Sequence, residues 1–323
     1  MLNIFKKIIK NDTKHNLFPT SMAFEPIQVC NANCYCCPYT WLSKNKEYTK
    51  QKMNNEQIIN LIDIFGSIRK KFNYQGPLRI SPYRYSDPLA CKNLDLILKQ
   101  SKKYNLLVSI TTNAVSLNYT NIKLLKKYQK QIEHITISII GHDENSVNQR
   151  MGISLEKTKK NILFLKEIEK SLLSVLKIHL RYTENTLEEK KGIEELKQFF
   201  NDNLTKKNVT VQNEWLSNRI DYDMKSFNTI KVIPRKINEK PAKNFVIGCQ
   251  KRITSRLEVM VNGDVVLCCD DSENLKCFGN IFKEDLEIIW HRLVIEHNII
   301  FEKKYINEKQ DLICNTCSRA IRN

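Results

Sequence analysis

Between residues 24 and 214, short runs with β character alternate with longer amphipathic stretches, and this alternation constrains the fold of the 323-residue chain more than any other feature. The runs are Phe24–Val29, Leu78–Ser81, Leu106–Thr111, Ile135–Ile139, Val175–Tyr182 and Val209–Glu214. Between the first two, Ile58, Leu61, Ile62, Phe65 and Ile68 recur at helical spacing behind an Asn54/Gln57 pair suited to a capping box. Strands alternating with helices form βαβ units, whose strands are parallel. Six such units predict an α/β fold, a partial (β/α)6 TIM-like barrel rather than the closed eight-stranded form.

Strands enclosed between outer helices and a solid interior are apolar on both faces. Here one face is polar in strand after strand. Thr136 and Ser138 oppose Ile135, Ile137 and Ile139; His179 and Arg181 oppose Ile178, Leu180 and Tyr182. Arg79 and Ser81 oppose Leu78 and Ile80, and Thr210, Gln212 and Glu214 oppose Val209 and Val211. The pattern predicts a lumen that holds a polar ligand. An antiparallel sheet with one wet face shares the alternation, but it does not account for the intervening helices.

The chain divides into an N-terminal extension (1–22), the barrel (23–215), a charged linker containing Pro234 and Pro241 (216–245), and a small α+β module (246–323). That module opens on two runs, Arg256–Val261 and Asp264–Cys268, joined by Asn262-Gly263, a strong β-hairpin signal. An amphipathic helix over Lys283–Ile300 follows, and then Cys314-Asn315-Thr316-Cys317. No stretch is long and apolar enough to span a membrane. Met1–Lys10 is basic and amphipathic but has neither the apolar core nor the cleavage site of a signal peptide. Eleven cysteines in such a chain point to metal ligation in a reducing compartment, hence to the cytoplasm, rather than to a disulfide framework. The net charge of +17 is spread along the chain without a concentrated basic arm, which places nucleic acid below a small-molecule or peptide partner.

The chemistry gathers at Cys30-Asn31-Ala32-Asn33-Cys34-Tyr35-Cys36-Cys37-Pro38. Cys30, Cys34 and Cys37 form a CxxxCxxC triplet after the first run. Three thiolates within eight residues suffice for one face of a cubane iron–sulfur cluster and leave its fourth iron open to a chelating cofactor. Taken alone, the triplet also fits a zinc site or buried thiols.

This triplet resembles the signature of the radical S-adenosylmethionine (SAM) enzymes. The resemblance implies a 4Fe–4S cluster on Cys30, Cys34 and Cys37 whose open iron takes the methionyl amine and carboxylate of SAM. It further implies reductive cleavage of the sulfonium to a 5′-deoxyadenosyl radical. Four more stretches match in order. Tyr85-Ser86-Asp87-Pro88 stands where the family has Gly-Gly-Glu-Pro contacting the methionyl amine; Asp87 keeps a carboxylate, and both glycines are replaced. Thr111-Thr112-Asn113 resembles a Thr-Asn-Gly stretch, with Ala114 in place of glycine. Ile135 to Gly141, followed by Asp143-Glu144 and Arg150-Met151-Gly152, resembles the fourth-strand segment that approaches SAM. Arg181, on the polar face of the fifth strand, suits the SAM carboxylate. The resemblance thus implies SAM contacts at Asp87, Pro88, Asn113, Ser138, Arg150 and Arg181. Cys36 replaces the aromatic residue common before the third cysteine, with Tyr35 one place earlier, and its spacing does not fit a ligand.

In the C-terminal module, Cys249 is followed after thirteen residues by Gly263 and after four more by Cys268, and Cys314-x-x-Cys317 closes the chain. This resembles the SPASM/twitch extension in its shorter, twitch form. It implies a second, auxiliary 4Fe–4S cluster held by Cys249, Cys268, Cys314 and Cys317. Only Cys269 and Cys277 remain spare nearby, too few for the two clusters of the longer form, and Cys268 is chosen over Cys269 on spacing alone. Gly279-Asn280-Ile281 and Ile289-Trp290 also resemble that extension, while a four-cysteine zinc ribbon is the competing assignment.

The resemblance implies a radical SAM enzyme of oxidoreductase type that abstracts hydrogen from a substrate carbon. Dehydrogenation of a small sugar-like metabolite is expected, with the auxiliary cluster as electron acceptor and flavodoxin or ferredoxin as external donor. Two alternatives stand beside it: a maturase acting on a ribosomal peptide or protein, and a non-enzymatic zinc- or iron–sulfur-binding protein that binds nucleic acid. His142, His179 and Glu214 are candidate bases near the lumen mouth, and Cys91 and Cys277 match no ligand position.

Overall fold

The computed structural model describes residues 17–43, 50–181, 186–204, 209–212, 246–249, 255–271, 274, 276–301 and 320–322. The N-terminal extension before Leu17, the linker 216–245, Tyr182, Glu214, Cys314 and Cys317 lie outside the described residues. Six parallel strands run in sequence order: β1 (Ser21–Phe24), β2 (Arg79–Ser81), β3 (Leu107–Thr112), β4 (Ile132–Ile140), β5 (Leu176–Arg181) and β6 (Val209–Gln212). Helices α1 (Pro38–Leu42), α2 (Asn55–Lys71), α3 (Leu94–Lys103), α4 (Tyr119–Lys127), α5 (Glu144–Met151), α6 (Leu155–Ile168) and α7 (Leu187–Asn203) lie between them in the chain. The sheet is open, which makes this the partial (β/α)6 barrel expected from the alternation.

Helix α2 forms where the periodicity placed it. Asn54 Oδ1 accepts from Gln57 N at 2.8 Å and Gln57 Oε1 accepts from Asn54 N at 2.9 Å, completing the capping box. Its apolar stripe, Ile58, Leu61, Ile62, Phe65 and Ile68, is buried. Each such side chain contributes roughly 2 kcal/mol when removed from water.

The first strand differs from expectation: it spans Ser21–Phe24, not Phe24–Val29. Pro26 has no N–H for a ladder, so the chain leaves the sheet there. Pro26 O instead accepts from Met53 N at 2.9 Å, and Gln28 N donates to Gln51 O at 2.9 Å. The ladder is carried by Ser21, Met22, Ala23 and Phe24, the last three fully enclosed.

The polar face runs across strands as well as along them. Register pairs Thr111 with Thr136 and Ser138 with His179, and the backbone of β5 continues the register to β6 at His179 with Thr210 and Arg181 with Gln212. Near the start of the strands Arg79 Nε lies 2.8 Å from Glu133 Oε1, and Ser109 Oγ lies 3.4 Å from Glu133 Oε2. The opposite face, including Ile80, Val108, Ile110, Ile135, Ile137, Ile139, Ile178 and Leu180, is wholly buried.

The hairpin of the C-terminal module, β8 (Arg256–Val259) and β9 (Asp264–Val266), extends this sheet. Strand β8 pairs in parallel with β1, and β10 (Cys277–Asn280) pairs antiparallel with β9, giving one nine-stranded sheet ordered β10-β9-β8-β1-β2-β3-β4-β5-β6. Gly263 turns the hairpin at φ 91°, and a Cβ there would stand 2.3 Å from the Phe282 ring. Asn280 Nδ2 donates to Asn262 O at 3.0 Å and to Asp264 Oδ1 at 2.9 Å, so the Gly279-Asn280-Ile281 segment clasps the turn. Helix α8 (Leu286–Phe301) buries Ile289, Trp290 and Leu293. A separate pair, β7 (Val246–Cys249) with β11 (Ala320–Arg322), completes the strands. Among the described residues, no helix is long and apolar enough to cross a membrane.

Gly66 in α2 yields the first test. Alanine has the higher helix propensity by about 1 kcal/mol, which alone predicts stabilisation. Yet a Cβ at Gly66 would stand 2.3 Å from Tyr104 Cγ, the fixed base of the ring. Gly66→Ala is therefore expected to lower thermal stability, by roughly 1–3 kcal/mol of overpacking. A raised melting temperature would show that the Tyr104 ring swings aside at no cost.

Candidate functional site

The loop carrying Cys30, Cys34 and Cys37 leaves the C-terminal end of β1, the rim on which barrel-type sites are built. It has no regular structure of its own, so its backbone groups need outside partners. Asn33 N donates to Met151 O at 2.8 Å, and Tyr35 N donates to Arg150 O at 2.9 Å. These carbonyls close the last turn of α5, where a helix leaves acceptors without partners. Gly152 ends that helix at φ 65°, and a Cβ there would stand 3.3 Å from Asn33 Cβ. Within the loop, Cys37 N donates to Cys34 O at 3.0 Å, and Thr40 Oγ1 donates to the same carbonyl at 2.7 Å. Pro38 then opens α1 at the position where its missing N–H costs nothing.

The three thiols are half-buried and gathered together. The Cys30 thiol is pushed up to about 12, chiefly by burial and also by Asp87 and Cys37, against the lowering effect of backbone hydrogen bonds from Ala32 and Asn31. Burial likewise pushes Cys34 well up, and Cys36, Cys37 and Cys30 add to the shift. Thiols ligate iron as thiolates, the form that the charge of bound irons favours. Among the described residues, no three Cys, His, Asp or Glu side chains close on a single point as one metal ion requires. A cubane needs no such point, because its three thiolates bind three different irons. A set of three soft sulfur donors suits an iron–sulfur cluster.

Asp87 is 2 % exposed beside this loop. Its carboxylate accepts from Thr112 Oγ1 at 2.8 Å, Asn113 N at 3.1 Å and Leu89 N at 2.9 Å. Burial raises its pKa, and those three bonds oppose the rise. Asp87 thereby ties the loop after β2 to the end of β3, with Pro88 buried after it. Asn113 extends the tie to the thiol loop: its Nδ2 donates to Asn31 Oδ1 at 2.6 Å. Ala114 follows at φ 63°, the left-handed conformation natural to the glycine it replaces.

The remaining expected SAM contacts are placed as follows. Ser138 and Arg181 stand on the polar face, in register with His179 and Ile140 respectively. Arg150 is buried in α5, with Nη1 2.5 Å from Glu189 Oε1 of α7. Its guanidinium has a protein carboxylate as partner, and its carbonyl supports Tyr35. Of the candidate bases, His142 Nε2 lies 3.7 Å from Asp143 Oδ2, and His179 sits within the sheet beside Ser138. Cys91 is buried and Cys277 exposed.

In the C-terminal module, Cys268 is buried just beyond β9 and Cys269 is half-buried. Strand β7 ends on Cys249, whose register partner is Ala320, three residues after Cys317. Arg84, Glu25 and Glu258 went unremarked in the sequence, and Tyr85 was marked only as a replaced glycine; all four prove central here. Arg84 Nη2 donates to Cys268 O at 3.2 Å and Asp271 O at 3.0 Å, and the Tyr85 hydroxyl donates to Cys269 O at 2.6 Å. Arg84 Nε stands 3.5 Å from Glu258 Oε2, while Arg256 Nε stands 2.6 Å from Glu258 Oε1. Burial raises the pKa of Glu25, which faces Arg84. A lone glutamate between Leu257 and Val259 in a hairpin strand was the available signal for Glu258. Nothing local marks Arg84.

Comparison with known proteins agrees with this geometry. The family model for the radical SAM superfamily matches residues 24–190, just over half of the 323-residue chain. The model for the SPASM iron–sulfur cluster-binding domain matches residues 249–318. No curated protein matches the sequence significantly. Among solved structures, BtrN in complex with AdoMet and 2-DOIA is 18% identical over 96% of this chain and 94% of its own, with a TM-score of 0.53. Streptococcus suis SuiB bound to the precursor peptide SuiA is 17% identical, covering 89% of this chain and 68% of its own at a TM-score of 0.56. The enzyme anSMEcpe with bound AdoMet and a Cp18Cys peptide is 14% identical, covering 92% of this chain and 85% of its own at a TM-score of 0.59. The identities are low, so these likenesses speak for the fold. The two family matches, in this order along the chain, place the protein in the radical SAM superfamily, with a C-terminal SPASM iron–sulfur cluster-binding domain.

Proposed function

We propose that the protein reductively cleaves SAM, abstracts a hydrogen atom from a substrate carbon, and thereby dehydrogenates a small sugar-like metabolite. Cys30, Cys34 and Cys37 hold the SAM-binding 4Fe–4S cluster, and Asp87, Pro88, Asn113, Ser138, Arg150 and Arg181 line the SAM site. Cys249, Cys268, Cys314 and Cys317 hold an auxiliary 4Fe–4S cluster, the electron acceptor of the oxidation. When bound, the cluster and SAM supply the one-electron chemistry that an unactivated C–H bond requires. The chain's own residues position the reactants and keep water away. A reducing cytoplasmic setting and an external donor such as flavodoxin or ferredoxin belong to this reading.

The observation that carries the proposal is the arrangement at one end of the sheet. There the thiol loop is docked on the α5 carbonyls, and Asp87 and Asn113 stand beside it. The polar side chains of β3, β4 and β5 on the sheet face suit a hydroxyl-rich substrate, and BtrN, crystallised with AdoMet and 2-DOIA, matches this chain over 96% of its length. A second reading, maturation of a ribosomal peptide, is favoured by the peptide complexes of SuiB and anSMEcpe. The third alternative, a non-enzymatic nucleic-acid-binding protein, gives way to membership of an enzyme superfamily.

Anaerobic reconstitution with iron and sulfide tests the cofactor assignment. The wild type is expected to hold about eight irons and a Cys30/Cys34/Cys37→Ala variant about four, with 5′-deoxyadenosine formed only by the wild type. Tight zinc uptake without any SAM cleavage would sink the proposal. Supplying polyols or amino sugars in one arm and short peptides in the other separates the two substrate readings: the class that raises 5′-deoxyadenosine output and gains an oxidised product is the substrate.

Asp87 provides a sharper test. Removing a charged acceptor that holds several donors costs roughly 1.5–3 kcal/mol. Because the methionyl amine of SAM is set on Asp87 in this proposal, a charge-assisted contact, Asp87→Ala is expected to weaken SAM binding by roughly 10- to 100-fold while the triplet keeps its four irons. Unchanged SAM affinity would confine Asp87 to holding β2 and β3 together.

A further inference from the structure

Arg84 and Asp87 are three residues apart in the chain yet serve different places. Asp87 faces the thiol loop, whereas Arg84 reaches the segment Cys268–Asp271 of the SPASM domain. The Arg84 side chain is 1% exposed. One nitrogen, Nη2, holds two backbone carbonyls of that segment, and the neighbouring Tyr85 hydroxyl holds a third. Its Nη1 is buried, with no hydrogen-bond partner among the described residues. Charged groups around it are Glu258 and Glu25, with Arg256 beyond Glu258 and the Cys269 thiol adjacent.

A buried guanidinium N–H without an acceptor costs on the order of 1–3 kcal/mol, so its retention calls for a purpose. The segment it grips presents sulfur, and the sulfurs of a 4Fe–4S cluster accept hydrogen bonds. We propose that Arg84, with Tyr85, is a positioning residue for the auxiliary cluster: it fixes the Cys268–Asp271 segment from the SAM-site side and offers its buried Nη1–H to a cluster sulfur. The inference rests on the proposed ligation of that cluster by Cys268. A cation and an N–H donor beside the cluster both favour its reduced, more negative state. Arg84 therefore sets the potential as well as the position of the electron acceptor. It also makes the loop of Asp87 the mechanical link between the two cofactor sites.

The full-length Cys30/Cys34/Cys37→Ala variant isolates the auxiliary cluster for measurement. In that background, potentiometric titration followed by electron paramagnetic resonance reads the midpoint potential, and absorbance in air reads the cluster's lifetime. Arg84→Gln is expected to lower the potential and shorten the lifetime severalfold. Arg84→Lys keeps the charge but cannot hold two carbonyls in a fork, so lifetime falls while the potential moves less. Tyr85→Phe, a mild change that leaves the buried charges intact, is expected to shorten the lifetime alone; it keeps the test alive if Arg84→Gln misfolds. Wild-type potential and lifetime in all the variants that fold overturn the inference and leave the ligation standing. A background protein that binds no iron overturns both.

Discussion

The structure depends on a bargain between an irregular loop and a helix end. The thiol loop needs acceptors for its N–H groups, and α5 ends with carbonyls that no residue of the helix can use. Asn33 and Tyr35 donate to those carbonyls, so each element satisfies the other. Left unmet inside the protein, each such group would cost roughly 1–3 kcal/mol. The docking needs Gly152: it turns the chain out of the helix in a left-handed conformation and leaves room for Asn33. From the other side, Asn31 grips Asn113 and Ser116, so the loop is held between the ends of β3 and α5. Three sulfurs on a loop without secondary structure thus acquire the rigidity of the barrel.

That rigidity extends outward through buried charge. Arg150, whose carbonyl supports Tyr35, is locked to Glu189 of α7. A buried ion pair is weak evidence for stability, because desolvation offsets much of its attraction. Its contribution is geometric: breaking one partner leaves an uncompensated charge, so α5 and α7 keep a single relative setting. Arg84 and Glu258 do the same for β2 and β8, which are separated in the sheet by β1.

Much of this was legible in the sequence wherever the cause is local. The cap and stripe of α2, the Asn-Gly hairpin and the alternation of strands with helices all arise from neighbouring residues. The first strand was misplaced because apolar character continues past Phe24, while the ladder ends at the first residue that lacks an N–H, Pro26. Short motifs singled out the cysteine triplet, Asp87 and Asn113, and the structure brings these to one end of the sheet. Their partners were not legible. The pairing of β1 with β8 joins Ser21 to Arg256, and no local pattern records a parallel pairing across such a separation. Arg84, an unexceptional arginine in sequence, takes its meaning from that pairing, which delivers Glu258 and the Cys268–Asp271 segment to it.

The departures from the family pattern around Asp87 now have a physical account. Where the family carries two glycines, this chain carries Tyr85 and Ser86. Tyr85 spends its hydroxyl on the carbonyl of Cys269, a contact no glycine can make. Ala114, standing where many members have glycine, keeps the left-handed backbone because Thr112 Oγ1 accepts from its N–H at 3.1 Å and Asn161 Nδ2 donates to its carbonyl at 2.9 Å. Side chains have replaced backbone freedom in both places, and the added bonds point in different directions: one toward the SPASM domain, the other into the barrel. The loop after β2 is itself fastened twice, at Tyr85 to Cys269 and at Asp87 to Thr112 and Asn113, and moves only if both anchors move. The Cys268–Asp271 segment is thereby set relative to the loop of Asp87 and the end of β3.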